Sequence, residues 1–300
     1  MLKAPASLFA AFMAAAIPSA TFSATVFGLN AQSQIVKFDT DVPLIGMPTF
    51  VSANFWAEGS ITFGPDGLLY GIDPSSNVLS VNLITGDKHF VTSGFWSQGD
   101  IEFGPDGKLY GLTQQHTLQR YDLVARTTAT ISADFYALGD IRFGPDGKVY
   151  GLSALHTIIR TDPEHPFSII ETVGSGFNPE GAFTFGPGGQ IFGVDPSQNL
   201  YKLNPSTGTR DFVAPGNWNT GDLQFGPDGL LYGLSTAQYL QRINLTTGQI
   251  SAVAEGFWGA GDIAFSPLTA IPEPTTNTLL LSGLTFTLIL LSRRKPSEQS

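Results

Sequence analysis

A chain of 300 residues with 34 glycines, 23 phenylalanines and only 13% charged residues has the turn-rich, aromatic-rich balance of an all-β protein rather than a helical one. It contains no cysteine, which excludes a disulfide framework, a thiolate metal site and a cysteine nucleophile. The formal net charge of −10 argues against a nucleic-acid partner, since phosphate-tracking proteins present a basic face.

Residues 1–24 read as a secretory signal peptide. Lys3 stands near the start, an apolar stretch runs through Leu8, Phe9, Phe12 and Met13 to Ile17, and small residues follow, with cleavage expected between Ala20 and Ala24. The stretch is shorter than the about 20 residues that span a bilayer.

Repeats fill residues 25–267. Gly99 to Leu112, Gly-Asp-Ile-Glu-Phe-Gly-Pro-Asp-Gly-Lys-Leu-Tyr-Gly-Leu, returns with substitutions from Gly59, Gly139, Gly181 and Gly221, and its first half returns from Gly261, at spacings of 40, 40, 42, 40 and 40 residues. Ile101 and Phe103 alternate with Asp100 and Glu102 as in a strand, Gly104-Pro105-Asp106-Gly107 supplies the turn, and Leu109–Leu112 returns, which makes a hairpin. Tyr239–Ile243, a Thr246-Thr247-Gly248 turn and Ile250–Val253 add two further strands to the period. A four-stranded antiparallel unit repeated about every forty residues describes a β-propeller blade.

The repeat begins out of phase. Val26–Leu29 matches a second strand and Ile35–Asp39 a third, while the missing first strand stands at the other end of the region, in Gly261–Pro267. First strands and second strands both number six. The expected fold is therefore an all-β, six-bladed β-propeller, closed by pairing the last strand with the first, which hides both open edges. One period departs from the pattern: Gly186-Pro187-Gly188-Gly189 lacks the Asp, and Asp162-Pro163-Glu164-His165-Pro166 replaces the preceding Thr-Gly turn. The Phe-Gly-Pro-Asp-Gly-x-Leu-Tyr-Gly core resembles the inner hairpin of Trp-Asp-repeat, NHL and gluconolactonase-type propellers, a likeness of architecture and not of activity.

Residues 268–275 form a linker containing Pro272, Glu273 and Pro274; residues 276–292 are apolar enough for a transmembrane helix, and 293–300 carry Arg293, Arg294 and Lys295. This three-part ending resembles the PEP-CTERM sorting signal of Gram-negative bacteria. The resemblance implies an exosortase partner, transient anchoring in the inner membrane and a final place in the cell envelope or outside it. Independently, the basic cluster is expected to stay cytoplasmic while the ring lies outside. A plain tail anchor is the simpler alternative.

Three rings of side chains are candidates for function on the face where each chain segment leads into a first strand. Trp56, Trp96, Tyr136, Asn178, Trp218 and Trp258 stand three residues before the strand glycine, each preceded by Phe55, Phe95, Phe135, Phe177, Asn217 or Phe257. They either wedge between blades, as repetition favours, or offer stacking platforms to sugar rings or a partner chain. The second ring is Ser60, Asp100, Asp140, Ala182, Asp222 and Asp262, whose carboxylates either accept backbone amides, the favoured reading, or converge on a Ca²⁺ ion. The third is the variable set Thr62, Glu102, Arg142, Thr184, Gln224 and Ala264, in which Glu102 and Arg142 are placed to pair. Asn77, His116, His156, Gln198 and Gln238 lie on the neighbouring loops, where exposed polarity is favoured over a metal site. No nucleophile elbow, metalloprotease helix or phosphate loop is present.

The expected function is a monomeric, non-enzymatic binding or scaffold protein for exopolysaccharide or another surface protein, with no cofactor. The alternative is a metal-dependent hydrolase or lactonase using carboxylates at the central channel. Near-equivalent rings favour the first, because catalysis needs unlike groups at one point.

Overall fold

A computed structural model describes residues 24–41, 45–135 and 137–267. The proposed signal peptide except its last residue, Tyr136, the Pro272-Glu273-Pro274 linker, the apolar span and the basic tail lie outside the described residues. Among the described residues no helix is long and apolar enough to cross a membrane.

Six four-stranded antiparallel sheets make up a six-bladed propeller. The innermost strands, which open blades one to six, are Ile61–Phe63, Ile101–Phe103, Ala137–Phe143, Phe183–Phe185, Trp218–Phe225 and Ile263–Phe265. Blade two shows the unit: Ile101 pairs with Gly111 and Phe103 with Leu109 across the Pro-Asp-Gly turn, and strands Leu118–Asp122 and Thr127–Ser132 complete the sheet. Blade six is the closing one. Its inner strand from the end of the region pairs with Thr25–Leu29, in the register Val26 with Phe265 and Gly28 with Ile263, and Gln34–Asp39 and Thr49–Ala53 follow.

The repeated residues have definite structural tasks. In the turns, Asp66, Asp106, Asp146 and Asp228 each accept the backbone amide two residues on through Oδ1. Through Oδ2 they accept the phenolic hydroxyl of Tyr70, Tyr110, Tyr150 and Tyr232. The period that has Gly188 in place of the Asp has Phe192 in place of the Tyr, so hydroxyl and acceptor are lost together. Gly107, at φ 72°, takes the left-handed turn position that the Pro-Asp-Gly hairpin requires.

Those same second-strand rings join the blades. Tyr70, Tyr110, Tyr150, Phe192, Tyr232 and Phe27 each stand edge-to-face on the first-strand Phe of the next blade, at 4.9 to 5.5 Å between centroids, around the full circle. Between these pairs lie six apolar clusters, each shared by two neighbouring blades. Each cluster contains the lead-in aromatic that precedes a first strand. Phe95 is buried against the Cβ-less face of Gly111, where an added Cβ would stand 2.6 Å from its ring; Phe135 does the same at Gly151, at 2.7 Å.

Truncating such a wedge leaves a cavity between two blades. Phe135→Ala should lose about 3–5 kcal/mol of stability in urea denaturation. A loss below about 1 kcal/mol, the level of a surface change, would contradict a wedging role.

Candidate functional site at the mouth of the channel

The lead-in loops converge on a pocket of about 340 Å³ at one end of the central channel. Its walls are the strand glycines Gly59, Gly99, Gly139, Gly181, Gly221 and Gly261, its depth holds Ser60, Asp100, Asp140, Asp222 and Asp262, and its rim includes Glu58, Gln98, Leu138, Glu180, Thr220 and Ala260. Glycine is required where the loops close on one another: a Cβ on Gly221 would stand 2.4 Å from the Gly259 carbonyl oxygen. The rim residues escaped the sequence reading, although they occupy one repeat position, immediately before each strand glycine, and vary from blade to blade.

The aromatic candidates separate. Trp96 is half-buried, lines the pocket and meets the His116 ring edge-to-face at 5.4 Å. Trp56 and Trp258 are also half-buried, and their indole Nε1 atoms are buried with no acceptor. Trp218 is fully buried and belongs to an inter-blade cluster, so of the two roles open to this ring it takes the wedge and not the stacking platform. The cause is local: blade five has Asn217 where the other blades have Phe, so Trp218 fills the wedge slot against Gly233, and Asn217 takes a φ of 93°. Phe55, Phe95, Phe135, Phe177 and Phe257 are the buried wedges.

The acidic ring turns inward. Asp100 accepts the Ile141 amide at 2.8 Å and the Ser60 hydroxyl; Asp140 accepts the Phe183 amide at 3.1 Å; Asp262 accepts the Ile61 amide at 2.7 Å. Each of these aspartates therefore fastens its own blade to the next. Gln224 performs a similar service from the variable ring, accepting the Phe265 amide at 2.9 Å.

Arg142 is the hub of this floor. Its Nη1 lies 3.3 Å from Asp100, 3.1 Å from Asp140 and 3.5 Å from Glu102, and its Nη2 lies 2.5 Å from Asp222. The expected Glu102–Arg142 pair is present, but as one contact of four. Burial acts to lower the Arg142 pKa, and the combined pull of Asp140, Asp222, Asp100 and Glu102 carries it well above its ordinary value, so the guanidinium stays charged. One cation among so many buried carboxylates cannot hold them all ionised. Burial, reinforced by the charges of Asp100 and Asp222 and opposed by Arg142, raises Glu102 to about 7 and Asp140 well above the usual carboxylate range. Burial and the neighbouring Asp222 charge push Asp262 up likewise, and burial raises Asp222 itself against the pull of Arg142.

Among the described residues no group of three or more His, Asp or Glu side chains is disposed to hold a metal ion. Backbone amides meet Asp100, Asp140 and Asp262, as the favoured reading of the acidic ring has it, and the Arg142 guanidinium joins them. The two loop histidines are tethers. Nδ1 of His116 lies 3.2 Å from the Ala137 carbonyl and Nδ1 of His156 lies 3.1 Å from that of Phe177, each on the following blade. Their turn position, at φ 58°, is shared by Ser76, Gln198 and Gln238, so Ser76 and not Asn77 is the equivalent in blade one.

No protein-family model and no curated protein sequence matches the chain. Solved structures do match it in fold. The chain is similar to TolB from Acinetobacter baumannii, with a TM-score of 0.60 and 17% identity, covering 82% of this chain and 67% of that one. It is similar also to the catalytically inactive H270A virginiamycin B lyase from Staphylococcus aureus with quinupristin, at 0.53 and 13%, covering 79% and 86%. A third likeness is to the PQQ-bound aldose sugar dehydrogenase from Streptomyces coelicolor, at 0.52 and 16%, covering 67% and 83%. At these identities the likeness is one of fold, and propellers carry unrelated functions.

The raised carboxylates make stability depend on pH. Folded Glu102 keeps its proton up to about 7, against an ordinary value of 4.5, so the native state binds more protons across that interval and stability falls as pH rises through it. The Tm should be higher at about pH 5 than at about pH 8, and Glu102→Gln should diminish the difference. A wild-type Tm that is equal or higher at the alkaline end would contradict this electrostatic account.

Proposed function

We propose that the chain is an exported, envelope-sorted propeller that acts as a non-enzymatic binding or scaffold protein, taking saccharide or a surface partner at the lead-in face. The observation that carries the reading is the commitment of the channel carboxylates: Asp100, Asp140 and Asp262 hold neighbouring blades, while Asp100, Asp140, Asp222 and Glu102 surround Arg142. What remains open above them is a recessed polar pocket walled on one side by Trp96 among the described residues. A polar floor beside an indole suits a sugar, whose hydroxyls need acceptors and whose C–H face needs an apolar surface. Export and sorting rest on the likeness of residues 1–24 to a signal peptide and of the C-terminal ending to the PEP-CTERM signal, with an exosortase as the processing partner.

The test is retention on exopolysaccharide. Trp96→Ala should lose most of the retention shown by the wild type, with an unchanged circular-dichroism spectrum. Undiminished retention by the folded variant would remove the aromatic wall from the site.

The second reading, a metal-dependent hydrolase or lactonase, draws support from the buried carboxylates, because groups such as Glu102 that ionise near neutrality are suited to acid–base work. A ligand confined to the native state raises the Tm. On the binding reading, Ca²⁺ and a chelator should give the same melting curve; a Ca²⁺-dependent rise that Asp222→Asn abolishes would favour the hydrolase.

A further inference from the structure

The blades are not alike at the end of the ring opposite the pocket. Third and fourth strands are joined there, beside the Pro-Asp-Gly turns, and the ion pair of Lys108 with Asp122 at 3.4 Å links the two kinds of turn. In four blades the joining turn is built the same way: Oδ1 of Asn82, Asp122, Asn204 or Asn244 accepts the amide two residues on. The residue that donates this amide is Ile84 in blade one, Val124 in blade two, Ser206 in blade four and Thr246 in blade five. Since Ser and Thr serve the turn equally well, the fold does not require Ile or Val there. Yet Ile84 is 96% and Val124 97% exposed. The longer connection of blade three adds exposed Phe167 and Ile169, and the Pro-Asp-Gly turn of blade one adds Leu68. Single exposed apolar side chains are ordinary, but a set gathered on three consecutive blades marks a contact surface.

Chain direction and charge identify what covers it. Phe265 ends the closing first strand, in the place from which Phe103 enters its Pro-Asp-Gly turn, and the Ser266 amide donates to the Thr25 carbonyl at 2.8 Å. The chain therefore leaves the ring at this same turn end. Residues 267–275, fully extended, reach at most about 30 Å before the apolar stretch 276–292 that the sequence marks as a membrane span. The loops of the lead-in end carry Glu58, Asp73, Asp134, Glu180, Asp195 and Glu255 and, among the described residues, no Lys or Arg. At the turn end Lys108, Arg126 and Lys148 stand among the turn aspartates. An anionic bilayer repels the first end and tolerates the second.

We propose that the turn end of the ring rests on the lipid bilayer, with Ile84 and Val124 at the boundary between headgroups and acyl chains and the lead-in pocket facing away from the membrane. Apolar tips leave water for that boundary, and the turn amides already have acceptors in Asn82 and Asp122, so no unpaired donor is carried toward the lipid. The inference rests on the reading of residues 276–292 as a membrane span and is independent of what the pocket binds.

The chain has no cysteine, so a single introduced one reports its own surroundings. The full chain is reconstituted in vesicles of phosphatidylcholine and phosphatidylglycerol with a polarity-sensitive dye on Val124→Cys or, as the contrast, on Leu155→Cys; Leu155 is 81% exposed on a loop of the lead-in end. Lipids carrying a quencher near the headgroup should quench the Val124→Cys dye several-fold more than the Leu155→Cys dye. Ile84→Asp combined with Ile169→Asp should remove most of that difference, with an unchanged circular-dichroism spectrum. Should this variant fail to fold, the contrast between the two dyes in the otherwise unaltered chain decides the matter. Equal quenching at both positions, in chains that alkaline carbonate does not extract, would overturn the docking and leave the membrane span standing. Chains that carbonate extracts, with neither dye quenched, would overturn both. Shielding of the Val124→Cys dye that grows with protein concentration in detergent, without the contrast in vesicles, would overturn the docking in favour of a second copy of the chain.

Discussion

The contact on which this ring depends is an aromatic wedge seated where a Cβ is missing. A lead-in Phe, or Trp218 in blade five, lies against the glycine of the second strand, and the second-strand ring beside that glycine stands edge-on to the Phe of the next blade. Because each blade buries only its two faces against neighbours, none has a core of its own, and the angle between blades follows from the size of the wedge. Six such interfaces close a circle. The low charge and high Phe and Gly content of the chain follow from this need: rings to fill the interfaces, and glycines to admit them.

Polar groups enter where the wedges leave off. Along the first strands hydrogen bonds also join the blades, aspartate to backbone amide and Gln224 to Phe265, and on the neighbouring loops histidine to carbonyl does the same. A symmetric ring of aspartates would repel itself. The chain breaks the symmetry with Ser60 and Ala182 at two positions of the acidic ring and with a single guanidinium at Arg142, and the remaining excess is held down by protonation. Stability of the ring and the character of its mouth are thus one electrostatic problem: the groups that hold the blades also set the charge a ligand meets.

The architecture was legible in the sequence because propeller repeats write their period into residues that cannot be exchanged. Turn glycines, the Pro-Asp-Gly bend and the alternating strands located the blades, and the out-of-phase start revealed the closing strand. The site was less legible because it depends on distances across the channel, which no spacing along the chain encodes. Glu102 and Arg142 could be paired from adjacent repeats, yet Asp222 lies two blades further round and meets Arg142 only through the ring. Trp218 shows the opposite limit: its repeat position offered both a wedge and a platform, and the neighbouring Asn217 left a slot that the indole fills as a wedge. Position in a repeat gives the backbone environment, and the side chain's direction depends on what its neighbours leave vacant.

The closing sheet has a consequence for how the ring is made. Five blades draw their strands from continuous stretches and can form as the chain is produced, whereas blade six needs Phe265 opposite Val26. Until that partner exists, the strand Thr25–Leu29 has an open edge, and four of its five residues are apolar or glycine. Such an edge is a template for foreign strands. The first segment of the ring to be synthesised is thus the last to be protected, and for that interval the chain's solubility depends on how soon its own distant end arrives.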